Sequence, residues 1–245
     1  DLYEDRPEVY VSMGETAENV AKKFNIERTE QDEFAVLSHK KAFKAQSSGN
    51  FHSEIVPIDN GKELVDSDGC IRPDTSVDDL SNLKPAFMEG GSVTAGTSSP
   101  LTDGASAVLV CSESYAKEHK LPILASIKSI AVHGCNPETM GMGPVYATKK
   151  ALDRANLSIN DLDIIELNEA FASQSLAVIK ESKMQLDKVN IDGGAIALGH
   201  PLGATGARIT GKAASLLRRE NKKYALSTQC IGLGQGIATV LESVN

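Results

Sequence analysis

Between Gly193 and Gly206 the chain carries five glycines and a single histidine, His200. Glycine reaches backbone angles and close approaches that other residues cannot, so this density marks main chain pressed against something. A short apolar-alternating run, Val189 to Asp192, leads in, and a helical pattern of Ile209, Ala213, Leu216 and Leu217 leads out. His200 precedes Pro201, and the residue before a proline is pushed out of the helical region. The histidine is therefore expected on a loop between a strand and a helix, presented rather than packed. A plain glycine-rich connection with an incidental surface histidine is the other reading of these residues.

The flanking sequence supplies the frame. After Pro122, strand patterns at Ile123 to Ala131, Asp163 to Leu167, Val189 to Asp192, Tyr224 to Thr228 and Ile237 to Leu241 are separated by helical ones. The helices are expected at Gly143 to Ala155, Glu169 to Lys183 and Thr205 to Arg219. Strand-helix alternation at this spacing predicts an α/β layered fold with a largely parallel sheet. Ligands of such sheets bind at the carboxyl ends of the strands, the edge to which Asn168, His200 and Cys230 all belong.

Upstream, Thr16 is expected to cap a helix carrying Val20, Ala21 and Phe24. Thr29, with Asp32 three residues on, is expected to cap a second in capping-box style, with Phe34, Leu37, Ala42 and Phe43 on one face. Residues 52–90 are irregular and acidic, either an accessory lobe or simply a solvated face. The continuous apolar run Ala105 to Val110 predicts a strand buried on both faces, and Ser114 to His119 a helix.

Composition narrows the function classes. Residues 1–92 hold 19 acidic against 10 basic side chains, and residues 93–245 hold 14 against 15. With no basic stripe and only 4% aromatic residues, nucleic-acid binding is disfavoured. At 245 residues the chain can bury a substantial core in one or two domains. No apolar run approaches the ~20 residues of a membrane helix, and Asp1 to Asp5 does not read as a signal peptide. The four cysteines, Cys70, Cys111, Cys135 and Cys230, show neither CxxC pairing nor metal-ligand spacing, which suggests a reducing compartment and no metal site.

Three motifs then share one sheet edge. Asn168-Glu169-Ala170-Phe171-Ala172 sits at a strand-to-helix junction, where Asn168 could equally be a helix cap. His200 is the second. Cys230-Ile231-Gly232-Leu233-Gly234-Gln235-Gly236 is the third, and taken alone its cysteine reads as core. Together, a thiol, a base and glycine-exposed amides are the parts of an acyl-transfer site. Gly194-x4-Gly199 is followed by His200-Pro201 rather than Lys-Ser/Thr, so it is not a phosphate-cradling loop. The Gly232, Gly234, Gly236 spacing, with no long helix after it, fails as a dinucleotide fingerprint.

These three motifs, in their order and spacing, resemble the thiolase family. So do Met13-Gly14-x-Thr16-Ala17-Glu18-Asn19 and Thr94-Ala95-Gly96-x-Ser98-Ser99, which are similar to its loop-domain and pantetheine-contact segments. Thr97-Ser98-Ser99 through Ala105 and the ending from Ser227 to Gly236 look most like the degradative 3-ketoacyl-CoA thiolases of bacteria. Biosynthetic acetoacetyl-CoA thiolases stand close behind, and a non-catalytic CoA-binding relative is a further alternative. The resemblance implies a layered αβαβα fold with a mixed, mostly parallel sheet and an inserted loop domain. It divides the chain into a loop domain (1–92), the tail of an N-terminal sheet domain (93–120) and a C-terminal sheet domain (121–245).

Carried over by residue, the resemblance implies His200 as the base that activates a nucleophilic thiol and Cys230 as the acid/base at the acetyl α-carbon. Asn168 would orient a water that holds a thioester oxygen together with His200, and the Gly232 amide would serve a second oxyanion hole. Ala95, Ser99 and Phe87 would line the pantetheine channel, Phe171 and Met140 would surround the reacting thioester, and Arg72 would face the nucleotide end of coenzyme A. Coenzyme A and acyl-CoA enter as substrates, with no permanently bound cofactor. The family further implies a homodimer or homotetramer, a partner in a fatty-acid oxidation multienzyme, and a cytoplasmic location in bacteria (mitochondrial or peroxisomal in eukaryotes).

One element of the pattern is missing. Thiolases form their acyl-enzyme on a cysteine in a Ser/Gly-rich segment of the N-terminal half, and none of the four cysteines here matches it. The chain thus resembles the C-terminal part of a thiolase. The isolated 245-residue chain is accordingly predicted not to turn over acetoacetyl-CoA with CoA. A spectrophotometric assay finding an ordinary enzyme rate would overturn this account of the nucleophile.

Overall fold

The computed structural model describes residues 1–244, the Leu2 side chain excepted. In chain order the helices are α1 (Leu2–Asp5), α2 (Met13–Lys23), α3 (Arg28–Ser47), α4 (Val77–Ser81), α5 (Glu113–Glu118), α6 (Gly143–Ala155), α7 (Ala172–Ser182), α8 (Ala195–Leu198) and α9 (Thr205–Arg219). The strands are β1 (Ile58–Asp59), β2 (Leu64–Val65), β3 (Ala125–Gly134), β4 (Ile164–Leu167), β5 (Tyr224–Ile231) and β6 (Gln235–Ser243). A two-stranded ribbon joins β1 to β2, and the main sheet runs β3-β6-β5-β4.

Side-chain alternation divides that sheet into two apolar faces. Ile165 and Leu167 of β4, Leu226 of β5 and Ala238 and Val240 of β6 join a core with α6 and α7. Ile164, Ala225 and Leu241 point the other way, onto Ala213, Leu216 and Leu217 of α9. Val20 of α2 and Phe34 and Ala35 of α3 extend the first core, so the N-terminal helices pack on the same apolar mass. A buried ionic group ties the irregular region to α9. Lys212 (5% exposed) bonds Glu54 at 3.0 Å, and Arg219 grips Asp192 through two contacts of 2.6 and 2.9 Å.

Several expectations are corrected here. The sheet is mixed, but β3–β6 and β6–β5 are antiparallel and only β4–β5 is parallel. The short β5–β6 turn forces the reversal, since parallel neighbours need a crossover. Val189 to Asp192 is no strand: Val189 makes one bridge to Ile165, and Asn190 at φ 45° turns the chain away. Ala105 to Val110 has no regular secondary structure and is exposed, Leu109 by 73%, and no described strand lies beside it to complete a ladder.

The helix starts differ too. Ser12, not Thr16, caps α2 and forms a capping box with Glu15; the Thr16 hydroxyl instead donates to Met13 O at 2.7 Å inside the helix. Glu27 and Glu30 make the box of α3, so Thr29 lies within the helix and Asp32 pairs with Arg28 at 2.9 Å. Phe43 is 46% exposed rather than part of a core face, while Gln31, Asp32, Ser38 and His39 of α3 are buried. This helix is covered on several sides by α4, α7 and α8, so a one-sided apolar stripe does not describe it. Helix α7 begins at Ala172 instead of Glu169, leaving Asn168 to Phe171 as a connecting loop.

Glu166 on β4 is the one acidic side chain among these sheet positions that faces α9 with an unpartnered buried oxygen, Oε1. Burial pushes its pKa up to about 8, partly offset by Arg208 and Lys212. A carboxyl whose folded pKa exceeds its unfolded value contributes stability that is complete below the unfolded value, 4.5, and is lost as pH rises toward 8. The slope within that window is at most about 1.4 kcal/mol per pH unit. Glu166→Gln is therefore predicted to be near-neutral at pH 4.5 and stabilising at pH 8, as measured by urea unfolding at both values. An unchanged difference between the two proteins across pH would refute it.

Candidate active site

The carboxyl end of β4 delivers Asn168, which stays in the ladder through its N–H to Thr228 O (3.0 Å) and is 1% exposed. Its Nδ2 lies 3.4 Å from His200 Nε2. The helix-cap reading of Asn168 is thereby replaced, since α7 starts after Phe171 and the amide is spent on the histidine.

His200 is placed by its neighbours. Gly199 holds φ 93°, and a Cβ there would fall 2.5 Å from Thr102 Oγ1, so the position demands glycine. The freed backbone lets His200 N donate to that same hydroxyl at 3.1 Å. On the ring's far side, Nδ1 sits 2.7 Å from Thr205 Oγ1, whose own hydrogen goes to Pro201 O at 3.0 Å. A hydroxyl has one hydrogen, so Thr205 accepts from Nδ1–H and the network assigns the lone pair to Nε2. Burial, and secondarily Arg208, holds the ring's pKa below the usual histidine value. A neutral imidazole with a free Nε2 is a competent base.

Cys230 is the penultimate residue of β5, 9% exposed, and clusters with Met140, Ala170 and Phe171. Burial pushes its thiol up to about 12, so at neutral pH it is a protonated donor rather than a standing thiolate. The hairpin that follows separates its three glycines by purpose. A Cβ on Gly234 (φ 96°) would lie 2.4 Å from Cys135 O, and one on Gly236 would strike the Gly143 backbone at 2.1 Å. Gly232 meets only Met13 Sδ at 3.9 Å, so its backbone borders open space.

The structure gathers several other expected residues around this cluster. Ser99 donates through both N (3.0 Å) and Oγ (3.1 Å) to Ala170 O, drawing residues 98–99 onto the Asn168–Phe171 loop. Phe171 meets Phe87 edge to face at 5.8 Å, and the Phe87 ring fills the place a Cβ on Gly14 would need. Arg72 and Ala95 are exposed and anchored elsewhere. The Arg72 backbone donates to His39 Nδ1 at 3.1 Å, and Gly96, beside Ala95, rests on Leu80 and Leu83. Among the described residues no group of three His, Cys, Asp or Glu side chains is arranged to hold a metal.

Sequence reasoning overlooked Thr205 and Thr102, which fix the tautomer and backbone of His200. Their only signal is a hydroxyl five residues after the histidine and another on a distant loop. His200 and Cys230 are linked through the Asn168–Phe171 loop, which touches one at Asn168 and the other at Ala170 and Phe171.

Residues 6–114 match the family model of the thiolase N-terminal domain, and residues 121–243 that of the thiolase C-terminal domain. The chain is 53% identical over 242 residues to a 3-ketoacyl-CoA thiolase of Pseudoalteromonas translucida, covering 95% of this chain and 62% of that protein. A 3-ketoacyl-CoA thiolase of Aliivibrio fischeri is 53% identical over 239 residues, with 94% and 62% covered. The crystal structure of human mitochondrial 3-ketoacyl-CoA thiolase in complex with CoA superimposes with a TM-score of 0.93 at 45% identity, covering 96% of this chain and 59% of that one. That of the Bacillus anthracis acetyl-CoA acetyltransferase gives 0.92 at 43%, covering 96% and 60%. The chain thus spans about 62% of the length of these curated relatives. Family models over both halves, the shared α/β fold and the convergence of Asn168, His200 and Cys230 on one sheet edge lead to one conclusion: this chain belongs to the thiolase family.

Proposed function

We propose that this chain carries the acid/base half of a 3-ketoacyl-CoA thiolase site. The observation that carries the reading is the Asn168–His200–Thr205 line, which leaves Nε2 unprotonated, with the buried, protonated Cys230 packed against the same Asn168–Phe171 loop. In thiolysis, His200 Nε2 would take the proton of an acyl-accepting cysteine, distinct from the four present here. The resulting thiolate adds to the 3-keto carbon of 3-ketoacyl-CoA. The C2–C3 bond then breaks, the acyl group stays on sulfur as a thioester, and C2 receives a proton from the Cys230 thiol to release acetyl-CoA. The Cys230 thiolate would then take the proton of a second CoA thiol, whose sulfur attacks the thioester; the acyl-accepting cysteine leaves as a thiolate, regains its proton from His200, and the shortened acyl-CoA departs. The N–H of Gly232 would serve one oxyanion, and a water oriented by Asn168, together with His200 once protonated, would serve the other.

Within this reading Phe87, Ser99 and Ala95 would line the path of the pantetheine arm, Phe171 and Met140 would surround the reacting thioester, and Arg72 would face the nucleotide end. Residues 1–92 form the loop domain, 93–120 the tail of the N-terminal sheet domain and 121–245 the C-terminal one. CoA and acyl-CoA act as substrates, not as resident cofactors. The protein would work as a dimer or tetramer in fatty-acid oxidation, in the cytoplasm of a bacterium. A biosynthetic acetoacetyl-CoA thiolase would use the same groups in reverse and differ in acyl chain-length profile.

The test combines this chain with a segment that carries an acyl-accepting cysteine, such as the corresponding part of a 3-ketoacyl-CoA thiolase, and follows loss of acetoacetyl-CoA. His200→Ala and Cys230→Ala are each predicted to lower the rate by about 100-fold or more. Thermal melting of the 245-residue chain provides an independent check. CoA at 100 times its Kd stabilises by about 2.7 kcal/mol if one site binds only the folded state, and Phe87→Ala should abolish that shift at the same CoA concentration. Full activity in either cysteine or histidine variant, or no response to CoA, would sink the reading.

A further inference from the structure

The mechanism leaves unused a carboxylate next to Asn168. Glu169 is 2% exposed and accepts three hydrogen bonds from three separate elements. Ser38 Oγ of α3 donates to Oε2 at 2.6 Å, Ile196 N at the start of α8 donates to Oε2 at 3.2 Å, and Asn190 Nδ2 donates to Oε1 at 2.8 Å.

The direction of each bond is fixed by what its donor does elsewhere. Ser38 Oγ already accepts Gly194 N–H at 3.1 Å, so its single hydrogen is free for the carboxylate. The Asn190 amide is oriented by Leu167, whose N–H donates to Oδ1 at 2.9 Å and whose carbonyl accepts from Nδ2 at 2.8 Å, leaving one N–H for Glu169. All three partners offer hydrogens, and an acceptor-only group is the side chain that satisfies them. The glycine pair ahead of His200 is shaped by the same joint. A Cβ on Gly194 would fall 2.2 Å from the Glu169 carboxyl carbon, and one on Gly193 would fall 2.6 Å from Ala42 Cβ.

Glu169 is covalently next to Asn168, and through Ile196 it grips the short helix that ends at Gly199, immediately before His200. We infer that Glu169 is a positioning residue whose three hydrogen bonds set the spacing between Asn168 Nδ2 and His200 Nε2. The inference rests on the proposal that those two side chains form the acyl-transfer site, but its geometry can be tested without turnover.

In Glu169→Gln an N–H2 replaces one acceptor and confronts donors, either Asn190 at the Oε1 position or Ser38 and Ile196 at the Oε2 position, so the joint between α3, the Asn190 turn and α8 must rearrange around Asn168. Losing the Asn168 bond removes a donor that favours the neutral ring, and the charged neighbour that acts on His200, Arg208, stays in place. Nitrogen-15 NMR of the 245-residue chain should therefore show a changed His200 Nε2 resonance and a titration midpoint raised by roughly half a pH unit or more. Glu166→Gln, an equally buried carboxyl on β4 that feels the same Arg208 but is described with no hydrogen bond to α8, should leave the Nε2 resonance close to the parent's and shift the midpoint by less. In the thiolysis assay described above, Glu169→Gln should lower kcat about tenfold or more with KM within about twofold, the pattern of a lost transition-state alignment.

If Glu169→Gln does not fold, Ser38→Ala removes one donor while keeping the carboxylate, and should shift His200 in the same direction by less. Unshifted His200 resonances in whichever of these variants folds, or an equal shift in Glu166→Gln, would overturn the inference. The two readings fail separately. A His200 shift in Glu169→Gln alongside full thiolysis by His200→Ala would keep the positioning role and discard the acyl-transfer reading. Loss of thiolysis in His200→Ala with wild-type kcat and resonances in Glu169→Gln would do the reverse.

Discussion

Asn190 pairs with the backbone of Leu167 through its side-chain amide, accepting the N–H at 2.9 Å and donating to the carbonyl at 2.8 Å. A fifth strand would make the same two bonds with main chain, but it would then have to continue along the sheet. Because a side chain does it, the backbone is free to turn at φ 45° and run into Gly193 and Gly194. The edge of β4 is left satisfied, as a buried ladder must be. The exchange lets the chain leave the sheet at the level of Asn168, and every later placement, of α8, Gly199 and His200, starts from that departure.

This explains which parts of the fold could be read beforehand. Gly143-Pro144 opens α6 and Thr205 to Arg219 forms α9 as expected, because a proline at the first turn and a clean apolar stripe are local signals. Asn168 and Cys230 share one edge because they stand at the carboxyl ends of the parallel strands β4 and β5, whereas His200 reaches Asn168 from the loop after α8 and not from a strand. Val189 to Asp192 deceived because its alternation is genuine while its pairing is made by an amide. Ala105 to Val110 deceived for the opposite reason. Its apolar content suits a strand, but a strand is defined by a neighbour, and no described segment supplies one. Strand direction was illegible on similar grounds: the Gly232–Gly236 turn returns β6 antiparallel, which the glycines permit without announcing.

Within the site, side chains with an obvious chemistry were legible and those that hold them were not. His200 and Cys230 stand out by residue type and glycine context. Thr205, Thr102 and Ser38 are hydroxyls at unremarkable positions, and their importance comes from single hydrogens whose destinations are fixed only in three dimensions. Glu169 was visible within its motif but had no role there, since its partners are 131, 21 and 27 residues away in sequence. Arg72 and Ala95, matched by local sequence, lie at the surface without a side-chain contact to the central cluster among those described.

Burial acts on the two reactive groups in opposite senses with the same result. It lowers the pKa of His200, whose charged form is the protonated one, and raises that of Cys230, whose charged form is the deprotonated one. Both are therefore neutral at pH 7, one as an acceptor faced by the Asn168 amide and the other as a protonated donor. Titratable groups whose environments separate them in this way mark the division between base and acid. Neither group needs a permanent counter-charge, which for Cys230 fits its packing against Met140, Ala170 and Phe171. The Glu169 carboxyl, whose pKa burial raises, is instead held by three donors behind the loop. Its hydrogen bonds hold the frame behind Asn168, and it does not figure among the charges that act on His200 or Cys230.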